Sequence, residues 1–190
     1  FNGNNATSGS MNNQEFKYDT AENLDKNLFE RTGYTFAGWA TSAEGEVAYA
    51  DEKEVLNLTA VANGEVKLYA VWTPVEYTVT FEGNKPETEG TVTQTAESIK
   101  VTFDASTNLT ERYTASLTGY TFLGYFDRAN EKVFNNEGAV QTGTYVNADK
   151  EWIYADSVTL YAHWEANTYY VEFNGNNATS GSMNNQEFKY

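Results

Sequence analysis

The chain has 190 residues, of which 12 are basic and 27 acidic, so its formal net charge is −15; it has one histidine and no cysteine. This charge repels phosphate and anionic lipid, and no apolar run approaches the ~20 residues of a membrane span, so we expect neither a nucleic-acid partner nor direct membrane insertion. Without cysteine there are no disulfides or thiol nucleophiles, and one histidine excludes a two-histidine metal site in one chain, so we expect no catalytic residue, cofactor or metal.

Alternating residue patterns predict strands in both halves of the chain, with one helix in each half. In the first half, the predicted strands occupy residues 15–18, 34–39 and 66–72, and the helix starts near residue 23. In the second half, the predicted strands occupy residues 77–81, 98–103, 120–126 and 158–164. The predicted order in each half is a hairpin, a helix and then further strands, which is an α+β arrangement.

The helix of the second half is predicted from residues 108–117. Asn108 followed three residues later by Glu111 fits a helix N-cap with glutamate at the third helical position. Leu109, Tyr113 and Leu117 then recur at i, i+4 and i+8, the spacing of one helical face. We therefore expect a helix that packs this face across a small sheet.

The first half carries a weaker form of the same helical pattern. Asn23 and Leu24 stand at the expected start, and Leu28 and Phe29 follow at helical spacing. Gly33, like Gly119 in the second half, stands where a helix C-cap glycine is expected.

The chain repeats itself at two scales. Residues 1–18 (FNGNNATSGSMNNQEFKY) recur unchanged as residues 173–190. Within that span TGYTFAGW at 32–39 recurs as TGYTFLGY at 118–125, and VKLYAVW at 66–72 recurs as VTLYAHW at 158–164. Such self-similarity predicts an array of small structural repeats.

The offsets between motifs divide the chain into three parts. Residues 1–76 form repeat A, whose first strand is truncated; residues 77–168 form the longer repeat B; residues 169–190 form the first hairpin of the next repeat A. The extra length of repeat B falls within residues 81–101 and 125–158, which we expect to be surface connections because loops absorb insertions at small entropic cost. The abrupt start inside a motif suggests a fragment of a longer array.

The motifs TGYTFAGW, VKLYAVW and YTVTFEGN (residues 77–84) resemble those of the Listeria–Bacteroides repeat family, which includes the B-repeat of internalin-type bacterial surface proteins. The resemblance implies tandem β-grasp (ubiquitin-like) repeats, each a small mixed sheet with one packed helix. It also implies display on secreted or cell-wall-attached proteins, and it identifies no catalytic residue. The residues that carry the structural motif are Gly33, Tyr34, Phe36, Gly38, Trp39, Leu68, Tyr69, Trp72, Gly119, Tyr120, Phe122, Gly124, Leu160, Tyr161 and Trp164.

Aromatic side chains are the main candidates for ligand contact. Those of the repeat motifs are best explained as the core of a small domain. Tyr145, Trp152 and Tyr154 lie in the longer part of repeat B, outside the motif, and are the candidate ligand-binding residues for a carbohydrate or a host protein.

Two acidic clusters and the single histidine are the remaining candidates for a site. The acidic residues near 44–54 and the Asp127/Glu131 pair lack the spacing of a helix-loop-helix calcium site, so a solvated acidic surface explains them better. His163 takes the position that Val71 holds in repeat A, which indicates a tolerant, partly exposed site.

Three functions remain open, and none is enzymatic. The first is an extracellular stalk, spacer or fibre segment of a bacterial surface protein or adhesin, with neighbouring repeats as its partners. The second is a module that binds host glycan or protein through the longer part of repeat B. The third is a filament subunit joined head to tail with copies of itself by strand complementation, for which residues 169–190 provide the spare hairpin.

Overall fold

The computed structural model describes residues 1–87 and 90–190. The chain divides into two compact units: unit 1 consists of Phe1–Glu76 with Thr102–Asp104, and unit 2 of Tyr77–Val101 with Ala105–Tyr190. In the described residues the strands are β1 (Glu22–Asn23), β2 (Tyr34–Ala40), β3 (Glu54–Val55), β4 (Tyr69–Pro74), β5 (Glu76–Glu82), β6 (Thr93–Gln94), β7 (Ser98–Thr102), β8 (Ala115–Ser116), β9 (Tyr120–Phe126), β10 (Lys132–Asn135), β11 (Val158–Ala166), β12 (Thr168–Val171) and β13 (Gln186–Lys189).

Unit 1 is built around an antiparallel pair of strands. β2 and β4 pair from Tyr34 opposite Pro74 to Ala40 opposite Tyr69, and the register shifts between Phe36 and Gly38. A second antiparallel pair joins β1 and β3, and Asn2 adds a single parallel bridge to Tyr69. The core of this unit consists of Leu24, Trp39, Val55, Leu68 and Ala70.

Unit 2 contains a five-stranded mixed sheet in the order β10-β9-β11-β5-β7. β11 runs parallel to β5, with Val158 opposite Val79 and Tyr161 opposite Glu82, and antiparallel to β9. The pairs β6–β8 and β12–β13 form separate two-stranded ladders. The prediction that the Gly-Tyr-Thr-Phe and Leu-Tyr-Ala segments of a repeat share a sheet is therefore confirmed in both units.

The predicted fold class is wrong, because residues 1–87 and 90–190 contain no helix and both units are built of strands and turns. An α+β β-grasp repeat with a packed helix does not describe this chain. Asn108, the expected N-cap, has a left-handed φ of 60°, and its side-chain amide donates to the Lys100 carbonyl oxygen at 2.7 Å. An N-cap residue ordinarily has extended φ and ψ, and the residues after Asn108 form turns and irregular structure up to β8.

The apolar residues of the predicted helix are nevertheless buried. Leu109, Tyr113 and Leu117 are 3%, 8% and 5% exposed. The Tyr113 N–H donates to the Gly138 carbonyl oxygen at 3.0 Å, and β8 pairs with β6. Backbone partners distant in sequence thus satisfy the groups that a helix would have paired internally. The i, i+4, i+8 spacing therefore predicted correctly that these three side chains are buried, but it predicted the wrong backbone conformation.

The weaker helix prediction in unit 1 is also wrong. Residue 23 lies in β1, and the Leu24 N–H donates to the Lys53 carbonyl oxygen at 3.0 Å. Leu24 is buried, whereas Leu28 is 61% exposed. Gly33 has the positive φ expected of a C-cap, 77°, but it lies inside a turn of residues 31–34, which is closed by a hydrogen bond from the Tyr34 N–H to the Arg31 carbonyl oxygen.

Two further predictions are also wrong. Residues 15–18 are not a strand in unit 1, although the identical residues 187–190 lie largely within β13, where β12 pairs with them. The expected surface connection at residues 125–158 instead contributes to the interior of unit 2. Its buried members are Tyr125, Val133, Phe134, Val140, Tyr145, Val146 and Trp152.

Candidate repeat-joining site

Gly33, in the TGYTF motif, lies directly against the aromatic ring of Phe103 in unit 1. Its φ of 77° lies in the left-handed region, and a Cβ atom built on it would overlap the ring of Phe103. Glycine is the residue that accepts both this conformation and this close approach. Phe103 is itself 9% exposed.

Two backbone hydrogen bonds fix the position of Phe103 over this glycine. The Val75 N–H donates to the Gly33 carbonyl oxygen at 2.9 Å, and the Phe103 N–H donates to the Val75 carbonyl oxygen at 3.0 Å. The ring of Tyr34 meets that of Phe103 edge to face, with centroids 5.7 Å apart and planes at 73°. This is a favourable geometry for an aromatic pair.

Charged side chains flank the contact in unit 1. The Arg31 guanidinium lies 3.7 Å from the centroid of the Tyr34 ring. The Tyr34 hydroxyl donates to the Asp104 carboxylate at 2.8 Å. A cation over one face and an acceptor at the hydroxyl orient the tyrosine ring toward Phe103.

Unit 2 contains the same arrangement at Gly119. Its φ is 82°, and a Cβ atom there would overlap the ring of Tyr190. The Asn167 N–H donates to the Gly119 carbonyl oxygen at 2.8 Å, and the Tyr190 N–H donates to the Asn167 carbonyl oxygen at 3.1 Å. The rings of Tyr120 and Tyr190 also meet edge to face at 5.7 Å. We call each arrangement an aromatic socket: Gly33, Tyr34 and Phe103 in unit 1, and Gly119, Tyr120 and Tyr190 in unit 2.

Each aromatic socket joins a glycine of one sequence repeat to an aromatic residue of the next. Phe103 follows the second strand of repeat B, and Tyr190 stands at the matching position of the following repeat A. The sequence pattern predicts helix caps at both glycines and does not reveal this role. The signal that identifies it is an aromatic residue at the same place in every repeat, Tyr18, Phe103 and Tyr190.

The aromatic residues of the repeat motif pack within each unit in nearly the same way. In unit 1 Phe36 lies 4.9 Å from Trp39 and 5.6 Å from Trp72, measured between ring centroids. In unit 2 the matching Phe122 lies 5.0 Å from Tyr125 and 5.5 Å from Trp164. Replacement of tryptophan by Tyr125 is accommodated because its hydroxyl accepts a hydrogen bond from the Gln94 amide at 3.0 Å.

The structure brings Tyr145, Trp152 and Tyr154 together. Tyr145 lies 5.6 Å from Trp152 and 4.7 Å from Tyr154, and the Trp152 indole N–H donates to the Tyr154 carbonyl oxygen at 2.6 Å. Tyr145 and Trp152 are 6% and 0% exposed, so their rings serve the interior of unit 2. The ligand-binding role of the three residues stays a prediction.

Asp127 and Glu131 hold the loop around Tyr145. The Asp127 carboxylate accepts hydrogen bonds from the Glu131 N–H at 2.7 Å and from the Tyr145 hydroxyl at 2.8 Å. Burial, reinforced by this hydrogen bond, raises the pKa of Tyr145. Glu131 accepts from the N–H and hydroxyl of Thr144 at 2.8 and 2.6 Å. These carboxylates are therefore engaged in local structure.

The rest of the described chain offers little for metal chemistry. Outside residues 88 and 89, no three histidine or acidic side chains are grouped closely enough to hold a metal ion. His163 is half-buried and stacks on Phe126 with ring centroids 4.1 Å apart.

Residues 1–71 match the model of the Listeria-Bacteroides repeat domain, the family predicted from the sequence motifs. The chain is thus a repeat protein, and it carries the motifs of that domain a second time in residues 77–168.

Two relatives come from Evansella cellulosilytica. One, named "Putative Gly-rich membrane protein", is 30% identical over 166 residues, which cover 86% of this chain and 18% of the relative. The other, named "Putative membrane protein", is 28% identical over 153 residues, covering 80% of this chain and 19% of the relative. The chain therefore spans less than a fifth of each of these relatives.

Among solved structures, none matches the chain. Across residues 1–87 and 90–190, no helix is long and apolar enough to pass through a membrane.

Proposed function

We propose that this chain is a non-enzymatic segment of a surface- or membrane-associated bacterial protein, where its repeats form an extracellular spacer. Support comes from the repeat domain in residues 1–71 and from relatives whose names describe membrane proteins. The observation that carries the proposal is the occurrence of the aromatic socket in both units with the same backbone hydrogen bonds.

The aromatic socket suits a spacer because it recurs at the residue where one sequence repeat passes into the next. The connection contains one backbone hydrogen bond on each side of the linking residue, Val75 or Asn167, and one aromatic ring, which is buried at Phe103 and half-exposed at Tyr190. These contacts hold the residue that follows the closing strand in each case, Val75 after β4 and Asn167 after β11.

The high negative charge is consistent with the same role. The net charge of −15 gives each segment a self-repelling surface. Like charge discourages lateral association of neighbouring molecules and keeps a repeat array extended in solution.

Small-angle scattering on chains that contain two, four and six repeats tests the proposal. We expect the maximum dimension to rise by a constant increment for each added pair of repeats. The matched variant carries Gly33→Ala and Gly119→Ala at every copy of the socket and is expected to show a smaller increment, because the rings of Phe103 and Tyr190 are displaced. An increment that shrinks with repeat number in the unaltered protein, as for a coil, would contradict the spacer role.

A further inference from the structure

One face of the five-stranded sheet in unit 2 carries aromatic rings that the core does not use. In β11, Leu160 and Ala162 are fully buried, whereas the alternate residues Tyr161 and His163 are half-buried. Because successive residues of a strand point to opposite sides of a sheet, these two rings lie on the face away from the core. Phe126 of β9 is paired with Tyr161 and is also half-buried, so it lies on the same face.

Two of these rings stack on each other. The ring centroids of His163 and Phe126 are 4.1 Å apart, and the ring planes meet at 19°. The residue opposite His163 on β9 is Gly124, which has no side chain and so leaves space for the imidazole to lie against Phe126. The stacked pair and Tyr161 together give this face an aromatic surface.

Two cations border the rings. The Arg128 Nε–H donates a hydrogen bond to the Tyr161 hydroxyl at 3.1 Å, and its guanidinium carbon lies 5.8 Å from the centroid of the same ring. The Lys132 Nζ lies 5.2 Å from the centroid of the Phe126 ring. Both distances are within the range of cation–π attraction. We call Phe126, Arg128, Lys132, Tyr161 and His163 the basic aromatic surface.

The neighbouring carboxylates do not neutralise these two cations. Asp127 and Glu131 accept hydrogen bonds from groups of their own loop. Among residues 1–87 and 90–190, Arg128 and Lys132 have no carboxylate partner in an ion pair. A chain with a formal net charge of −15 thus holds two unpaired cations beside exposed aromatic rings.

Unit 1 has different residues at the matching positions. β2 and β4 of unit 1 pair in the same register as β9 and β11, with Ala40 opposite Tyr69 and Gly38 opposite Val71. Only the tyrosine is shared, because Ala40 and Val71 stand in place of Phe126 and His163. A serine and a glutamate stand where unit 2 has its two cations; they are Ser42 and Glu46. The basic aromatic surface is therefore specific to unit 2.

We propose that the basic aromatic surface binds an acidic polysaccharide, a polymer whose sugars carry carboxylates. Arg128 and Lys132 bind the carboxylates through charge-assisted hydrogen bonds. The aromatic rings contact the apolar C–H faces of the sugars, as aromatic side chains do in many ligand sites. The negative charge on the rest of the chain is screened beyond about 8 Å at physiological ionic strength, so it does not prevent this contact. The site goes beyond the spacer role, which does not depend on it.

Glu82 favours a sugar polymer over an acidic peptide. It lies on β5, is exposed and is paired with Tyr161 at the side of the surface away from Phe126. A carboxylate only accepts hydrogen bonds at neutral pH. Sugars supply hydroxyl donors beside their carboxylates, whereas acidic side chains supply a further negative charge and no donor.

Isothermal titration calorimetry of the whole chain with polygalacturonate, at physiological ionic strength, tests the proposal. We expect the unaltered chain to bind. The variant with Arg128→Ser and Lys132→Glu copies unit 1 and is expected to bind at least about tenfold more weakly, because it loses the hydrogen bonds of two cations to carboxylates. The control variant, Lys26→Ser with Lys53→Glu, makes the same change of charge at exposed residues of unit 1 and is expected to bind like the unaltered chain.

Two further polymers identify the ligand chemistry. Dextran, which is uncharged, and polyglutamate, which has carboxylates but no sugar, are both expected to bind more weakly than polygalacturonate. Lys132→Glu alone changes one exposed side chain and is expected to weaken binding of polygalacturonate, so it tests the surface even if the double variant does not fold. The inference is overturned if the unaltered chain does not bind polygalacturonate, if the Lys132→Glu chain binds it as tightly as the control variant, or if dextran or polyglutamate binds equally well.

Discussion

The indole N–H of Trp72 donates a hydrogen bond to the carbonyl oxygen of Gly3 at 2.9 Å. Trp164 makes the same bond to Gly83, also at 2.9 Å. These residues lie far apart in sequence within each unit, so the bond fastens the start of a repeat to its closing strand. Its exact recurrence shows that the two units share this connection despite their different lengths.

Replacing Trp72 or Trp164 by phenylalanine is expected to destabilise the corresponding unit by a similar amount. The ring contacts with Phe36 or Phe122 remain largely in place, while the glycine carbonyl loses its donor, at a cost of about 1 kcal/mol. Urea denaturation of the two variants measures this loss. A loss confined to one unit would show that the bond does not have the same role in both.

Gly33→Ala is expected to destabilise unit 1 by more than the cost of a left-handed alanine, which is about 1–2 kcal/mol. The added Cβ atom must also displace the Phe103 ring, and overpacking of this kind costs about 1–3 kcal/mol. Gly181→Ala is the matched control, because Gly181 has a φ of 92° and nothing within 4 Å of a Cβ atom built there. Equal losses of unfolding free energy in the two variants would contradict the tight fit of the aromatic socket.

Asn108→Gly is expected to be tolerated better than Asn108→Ala. Both variants lose the hydrogen bond from the Asn108 amide to the Lys100 carbonyl oxygen, but only alanine resists the φ of 60°. The expected difference is about 1 kcal/mol in the free energy of unfolding. If residues 108–117 formed a helix instead, alanine would be the more stable variant, so the sign of the difference is decisive.

The strands of the closing motifs were predictable from sequence because apolar and polar residues alternate strongly along them. Strands β2, β5, β9 and β11 overlap the predicted segments closely. Their pairing was also predictable, since the same two motifs recur in the same order in each repeat.

The region between the hairpin and the glycine of each repeat was not predictable in the same way. Leu109, Tyr113 and Leu117 have helical spacing, yet the backbone there is held by Gly138, by Thr95 and by the β6–β8 pairing. These partners lie outside any local window of sequence. Helical spacing predicts which residues are buried. It predicts a helix only where the backbone groups do not form hydrogen bonds with residues distant in sequence.

The aromatic socket was missed for a different reason. A glycine with positive φ is equally consistent with a helix C-cap and with close approach of a ring, and the sequence around Gly33 favours neither. The ring that decides between them, Phe103, lies 70 residues further along the chain. Only the structure places the two together.

Trp152→Ala is expected to destabilise unit 2 by about 3–5 kcal/mol, because it leaves a large cavity beside Tyr145. Tyr154→Ala removes a partly exposed ring and is expected to cost clearly less. Thermal unfolding measures both. Binding of the Tyr154→Ala chain to a glycan panel, compared with the unaltered chain, then tests the predicted ligand role without unfolding the protein, and a selective loss of binding would support that role.

The stability of unit 2 is expected to fall as the pH rises above about 10, partly because of Tyr145. Burial and the bond to Asp127 raise the pKa of Tyr145 from its ordinary value of 10.0, so the unfolded chain loses this proton at a lower pH than the folded one. The stabilisation is complete below pH 10 and declines as the pH approaches the raised pKa. Tyr145→Phe is expected to flatten this decline in pH-dependent denaturation, whereas Tyr18→Phe, at an exposed residue, is expected to leave it unchanged.

The parallel pairing of β5 with β11 has a mechanical consequence. The chain enters unit 2 through β5 and passes through β11 as it leads to β12, so tension applied at the two ends of this segment slides the strands past each other. The backbone hydrogen bonds of the pairing from Val79 to Glu82 then bear the load together, instead of breaking one after another. A segment with this geometry resists stretching through collective rupture of the whole ladder.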